Sequence, residues 1–151
     1  MDDRLPRRAT LDGEPESVSF RNLFVIHRSG RATFEDQREL EQRMVDRAVA
    51  YPGVVGVAVL IPSEVPPAEP NVRREILALL TRRAPLIRGL VWVIGASGAE
   101  AASIRAVATS YSVALRQHYP TYMAGDLRGA LKWLLPLLGD PARLVELDLT
   151  I

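Results

Sequence analysis

The sequence predicts an α/β domain: a single-domain mixed, mostly parallel β-sheet with helices packed on it, in the order ββαβαβαβα followed by a C-terminal strand. Three observations predict it. Val54–Ile61 and Leu90–Ile94 are almost continuous apolar, β-branched runs, as expected of strands covered on both faces. Helix-length amphipathic segments with start and stop signals separate the strand-like runs, and such alternation implies right-handed crossovers between parallel strands. The composition, 48% hydrophobic and 25% charged over 151 residues with no cysteine, supports one core and excludes a disulfide scaffold or thiolate metal site.

Residues 1–16 mix Asp, Glu, Arg and Pro with little apolar surface to bury, so a disordered tail is expected before a domain spanning 17–138. Val18–Phe20 and Leu23–Arg28 read as a hairpin about a turn at Arg21-Asn22. Ser29-Gly30 breaks that run. Thr33, three residues before Asp36, then caps a helix to about Ala50, with the acid near the positive end of the helix dipole. Phe34, Leu40, Met44, Ala48 and Tyr51 lie close to one stripe of this helix, Glu39 and Arg43 pair on the opposite side, and Pro52-Gly53 ends it.

Val54–Ile61 is the central strand. The four prolines at 62, 66, 67 and 70 make a stiff loop at its C-terminal end. Asn71 is expected to cap the next helix, which runs through Val72, Ile76, Leu79 and Leu80 and is closed by Pro85. After the strand Leu90–Ile94, Ser97-Gly98-Ala99-Glu100 has the spacing of a capping box. It starts a helix to about Gln117 with Ile104, Val107, Tyr111 and Leu115 inward. Tyr119–Met123 is short enough for an edge strand. Gly125-Asp126 starts a last helix whose apolar face is Leu127, Ala130, Leu131 and Leu134, as far as Pro136. Residues 139–151 form a strand extension in which Val145, Leu147, Leu149 and Ile151 alternate with polar residues, offering an edge for a homodimer or for docking within the chain.

With 19 basic and 18 acidic residues the net charge is +1, so counterion release gives no drive toward nucleic acid. Residues 73–128 are locally basic, with eight cations against three acids; eighteen of the 19 cations are Arg, which fits genome composition as well as phosphate contacts. No apolar run approaches the roughly 18 residues of a membrane span, and Met1-Asp2-Asp3-Arg4 does not open a secretory signal, so a cytoplasmic protein is expected.

Chemistry is poorly supported. His27 and His118 lie 91 positions apart with no Cys and no close His pair, so no metal site and no Ser/His/Asp arrangement is formed by spacing. Gly95-Ala96-Ser97-Gly98 lacks the dinucleotide and P-loop spacings, and a strand-to-helix turn accounts for it. Glu35 and Asp36 point about 100° apart on a helix and serve its first turn. No catalytic residue and no cofactor is expected. The leading interaction surface is the proline-rich loop and the helix start after it, through Ser63, Glu64, Asn71, Arg73 and Arg74, because loops at the C-terminal edge of a parallel sheet carry function. Trp133, Leu134, Leu135, Leu137 and Leu138 read as core closure, with an exposed dimer surface over part of the run as the alternative.

The hairpin entering Thr33-Phe34-Glu35-Asp36, the central strand, the helix from Asn71, the strand Leu90–Ile94 and the closing Asp126-Leu127-Arg128-Gly129-Ala130-Leu131-Lys132-Trp133-Leu134 together resemble STAS and SpoIIAA-like domains. That family includes bacterial anti-sigma factor antagonists. The resemblance spans about residues 17–135 and implies a non-catalytic bacterial signalling or protein-interaction module that regulates a partner, a regulator or a kinase-like protein, by binding. In those antagonists a Ser or Thr in an Asp-Ser-Ser-Gly-like motif after the central strand is phosphorylated. Here Pro62–Asn71 replaces that motif, and Ser63 is the loop's only hydroxyl and the only phosphorylation candidate. Likeness of SpoIIAA-like domains to the lipid-carrying SEC14 fold implies the alternative, a small apolar ligand or lipid binder.

Overall fold

The computed structural model describes residues 16–28, 30–51, 53–61, 65–95 and 98–139. The first hairpin joins β1 (Glu16–Phe20) to β2 (Leu23–His27) through Arg21 and Asn22, with Phe20 opposite Leu23. Arg21 turns the chain at a φ of 53°, an uncommon value for a residue with a side chain. The turn is held from outside: Arg47 donates from Nη1 to the Arg21 carbonyl at 2.9 Å, and the Asn22 carbonyl accepts from the Gly56 N–H at 2.9 Å. Strand β1 starts at Glu16, one residue before the expected domain start.

Three further strands, β3 (Val55–Ile61), β4 (Ile87–Ile94) and β5 (Thr121–Ala124), complete a five-stranded sheet in the order β1-β2-β3-β4-β5. Only β1 is antiparallel; β2 through β5 run parallel, Val25 beside Ala58, Ala58 beside Val91 and Val91 beside Tyr122, with one register shift in the β3–β4 pair between Val55 and Gly56. Every residue of β3 is buried, which is why the central run carries no alternation. β4 begins three residues earlier than its most apolar stretch because Ile87 pairs with Val55 and Arg88 projects to solvent.

The crossover helices are α1 (Phe34–Ala50), α2 (Pro70–Arg82) and α3 (Ala99–Leu115), and α4 (Leu127–Leu134) follows β5. Thr33 and Asp36 form the expected capping box, and Asp126 caps α4 by accepting from the Gly129 N–H at 2.7 Å. Two caps differ from the sequence reading. Asn71 does not cap α2: the N-cap is Glu69, Pro70 occupies the first turn, where its missing N–H costs nothing, and Asn71 accepts from the adjacent Val72 N–H. The N-cap of α3 is Gly98 at a φ of 103°, a left-handed value glycine adopts freely, so the cap falls one residue after Ser97, which lies outside the described residues. On α1 the inward stripe is Leu40, Met44 and Ala48 joined by Gln37 and Arg47; Phe34 is exposed.

The sheet divides the core in two. Helices α1, α2 and α3 cover one face, burying Phe24, Val57, Val59, Leu90 and Trp92 against Leu40, Met44, Leu80, Ala108 and Leu115. The other face, Leu23, Val25, Ala58, Leu60, Val91 and Val93, is covered by α4 and the 3-10 turn Leu135–Leu138 that extends it. Gly56 and Gly89 are register partners on β3 and β4, and a Cβ on Gly56 would stand 2.7 Å from Leu138 Cδ2. Their missing side chains admit the closing leucines. The buried Asn22 Nδ2 donates to the Leu138 carbonyl at 3.4 Å, fixing the end of the turn to the hairpin. The closing leucines thus seal the core as the sequence predicts, while the strand expected at 144–151 lies outside the described residues.

Candidate functional site

The face under α1–α3 is incompletely filled. Two adjacent cavities of about 70 Å³ each lie between the sheet and the helices. The first sits below α1 and α2, against Phe24, Leu40, Met44 and Leu80. The second sits below α2 and α3, against Ile61, Val65, Ile104 and Ala108. Arg28, Val59, Ile76 and Trp92 line both. Interiors pack at crystal-like density with few voids larger than a water, so paired apolar cavities under one helix form the outstanding feature of this core.

Strand alternation brings Arg28 here. Phe24 and Ile26 point toward α1–α3, and the pairing continues one residue past β2, where the Arg28 N–H donates to the Leu60 carbonyl at 2.9 Å. The next residue on that face is therefore a guanidinium. Arg28 is 9% exposed. Its Nη1 lies 3.5 Å from Asp36 Oδ2, too long for a good hydrogen bond, and has no hydrogen-bond partner. Burial pushes its pKa below the usual arginine value, an effect the Asp36 carboxylate opposes. Asp36 already accepts from the Thr33 N–H at 3.1 Å. The Trp92 indole N–H, buried in mid-strand, likewise has no hydrogen-bond partner, although its ring packs on Tyr111 with centroids 5.7 Å apart. Arg28 and Trp92 thus belong to the walls of both cavities, with Gln37 and Glu41 on the first and Arg73 and Tyr111 on the second.

The rims are held by ion pairs and tyrosines. Glu41, on the wall of the first cavity, accepts from Arg82 at 2.8 Å and from Arg83 at 2.7 Å, joining α1 to the end of α2. Hydrogen bonds from Arg82, then Arg83, hold its carboxyl below the ordinary glutamate range against the opposing effect of burial. Arg31 reaches Glu69 at 3.0 Å, tying the entry of α1 to the start of α2; both are exposed, and the pair contributes about 1 kcal/mol or less. The Tyr111 hydroxyl donates to the Arg73 carbonyl at 3.3 Å and the Tyr119 hydroxyl to the Leu80 carbonyl at 3.1 Å, docking α2 onto the segment of α3 and its C-terminal extension.

The sequence-predicted site residues fall in different places. Ser63 and Glu64 lie outside the described residues, as does the candidate dimer edge at Val145, Leu147 and Leu149. The rest of the proline-rich loop, Val65 to Ala68, forms a wall of the second cavity, which Arg73 also borders. Asn71 is exposed and occupied with its own turn. Arg74 is exposed beside an open groove between α2 and α3, with no ion pair among the described residues. His27 ends β2, and His118 is exposed beyond α3. No group of three or more His, Asp or Glu side chains among the described residues is placed to hold a metal ion. Arg28 and Trp92 escaped the sequence reading. The available signal was that Phe24, Ile26 and Arg28 share one strand face, which puts a charge where an apolar residue belongs.

Among solved structures, the chain is similar to an uncharacterised protein of the DUF3478 family with a SpoIIAA-like fold from Shewanella loihica PV-4. The two share 17% identity over 80% of this chain and 91% of that one, with a TM-score of 0.54. The fold is therefore SpoIIAA-like, as the sequence resemblance implied. No protein-family model matches the chain, and no curated protein matches it. No helix among the described residues is long and apolar enough to cross a membrane.

Proposed function

We propose that this domain is a non-catalytic binding module that takes a small apolar or amphipathic ligand between its sheet and α2. The observation that carries this reading is the pair of cavities sharing Val59, Ile76 and Trp92 as walls. A dry engineered cavity of about 150 Å³ holds benzene, so the two spaces together suit an occupant of about six non-hydrogen atoms. Burial of that occupant supplies the affinity, and α2, tied at both ends by Glu69 and Arg82, keeps the space formed. The test is titration with 1-hexanol and benzene, followed by methyl NMR of Val59 and Ile76. Saturable shifts are expected in the native protein. Their loss is expected in Ile76→Phe, which fills the shared wall. Binding that survives Ile76→Phe, or no saturable shift in the native protein, overturns the reading.

A second reading, a bacterial signalling module that captures a regulator or kinase-like protein through residues 63–74, is supported by the exposed Arg74 and its position beside the α2–α3 groove. It predicts that Arg74→Glu abolishes capture of a specific partner while leaving ligand binding intact, and that Ser63→Ala removes any phosphate found on the loop. Capture unaffected by both substitutions eliminates this surface.

A further inference from the structure

The hairpin leaves one edge of the sheet open beside Gly139, the last of the described residues. We infer that residues 144–151 add to the free side of β1 as a sixth strand, antiparallel to it and supplied by the same chain. The sheet order is β1-β2-β3-β4-β5, so among the described strands β1 pairs with β2 alone. A two-residue hairpin turn makes its flanking residues, Phe20 and Leu23, a hydrogen-bonded pair, and antiparallel pairing alternates from there. The N–H and C=O groups of Ser17 and Ser19 therefore point away from β2. Backbone groups aligned along an edge in this way template the addition of another strand.

The position of Gly139 decides which edge the segment reaches. Asn22, in the β1–β2 turn, donates from Nδ2 to the Leu138 carbonyl at 3.4 Å, so the chain leaves the fold next to the end of β1. Residues 140–143 span at most about 14 Å when extended, and the free side of β1 lies one strand spacing, roughly 4.8 Å, beyond that strand. The free side of β5 is about four such spacings, roughly 19 Å, from β2 and out of reach. A segment that starts at the turn and runs back along β1 is antiparallel to it. The two faces match as well. Phe20 packs with the cluster under α4, whereas Ser17, on the other face, accepts from Arg43 Nη1 at 2.9 Å. In the segment Val145, Leu147, Leu149 and Ile151 alternate with Glu146, Asp148 and Thr150. Setting the apolar series on the face of Phe20 puts both acids on the side of Arg43, which Glu39 also shares.

The experiment is NMR on the full chain, reading cross-strand NOEs from Ser17 and Ser19 and the hydrogen exchange of their amides. NOEs to residues 145–149 are expected, and their absence overturns the proposal without recourse to any variant. The two amides should exchange at least about tenfold more slowly than in a chain ending at Gly139, while Val57 and Val91, in the central strands, stay protected in both. Equal rates for Ser17 and Ser19 in the two chains overturn the proposal. If the shortened chain does not fold, Leu147→Asn combined with Leu149→Asn in the full chain is expected to give the same loss of protection. A mixture of isotope-labelled and unlabelled chains separates the sources of the strand. NOEs confined within one chain support docking of the chain's own segment, and NOEs between labelled and unlabelled chains overturn it in favour of a strand exchanged between two copies.

Discussion

The two faces of the sheet solve the same packing problem differently. Under α4 and the turn Leu135–Leu138, two glycines in register let leucines descend onto the strands, and Ala130, Leu131 and Leu134 are completely buried. Under α1–α3 the strands carry Phe24, Val59 and Trp92, and two cavities lie between the sheet and the helices, with Arg28 in the walls of both. Neither cavity is lined by a residue of α4 or of the turn after it. The comparison teaches that the closing helix maximises stability, whereas the crossover helices give up part of their packing to keep space. Burying the Arg28 guanidinium at that face is costly, and its pairing with Asp36 at 3.5 Å offsets part of the cost.

Truncation should expose this difference most strongly. Leu134→Ala, at a site with no exposure and neighbours on every side, is expected to cost about 2–5 kcal/mol in urea unfolding. Ile76→Ala, which enlarges an existing cavity beneath a half-buried residue, should cost about half as much. Equal losses would mean that the two faces are packed alike. A smaller effect is expected from the opposite change. Gly56→Ala places a methyl against Leu138 and Leu134 and should cost about 1–3 kcal/mol. The contacts are flexible leucine ends, so the loss should shrink when Leu138→Ala is made in the same chain. Additive losses would show that Leu138 is not the obstacle.

The smallest effect at neutral pH is that of the tyrosines docking α2, because it vanishes there. Burial pushes the Tyr111 hydroxyl up to about 12, with nearby Arg73 opposing, and burial also raises Tyr119. The folded state then holds phenolic protons that the unfolded chain releases near pH 10. Their contribution to stability is therefore flat below about pH 10 and falls as pH rises toward 12. Urea midpoints at pH 8, 10 and 11 should show that fall, and Tyr111→Phe should reduce it. An unchanged slope in the variant would remove Tyr111 as a source.

Element order, strand runs and most helix ends were legible in the sequence because each is signed locally. The Thr33–Asp36 box, the Asp126 cap and the apolar central strand need no distant residue to act. Two helix starts differ from their local signals: Pro70 enters the first turn ahead of Asn71, and the N-cap of α3 is Gly98. The candidate site was legible only in part. The proline-rich loop drew attention by its composition, and its later residues do border a cavity, but composition gave no hint of a cavity behind them.

What the sequence determined by itself is the alternation of strands and helices and the hydrophobic supply for one domain, since periodicity and capping act within a few residues. Tertiary structure alone decided that three helices share one face and the last takes the other. It also decided that Gly56 stands beside Gly89, that Arg28 and Trp92 border the same cavities, and that space remains beneath α2. Those outcomes depend on register and on the volumes of side chains far apart in sequence, where one bulky residue on a strand sets how closely a helix from another segment can approach.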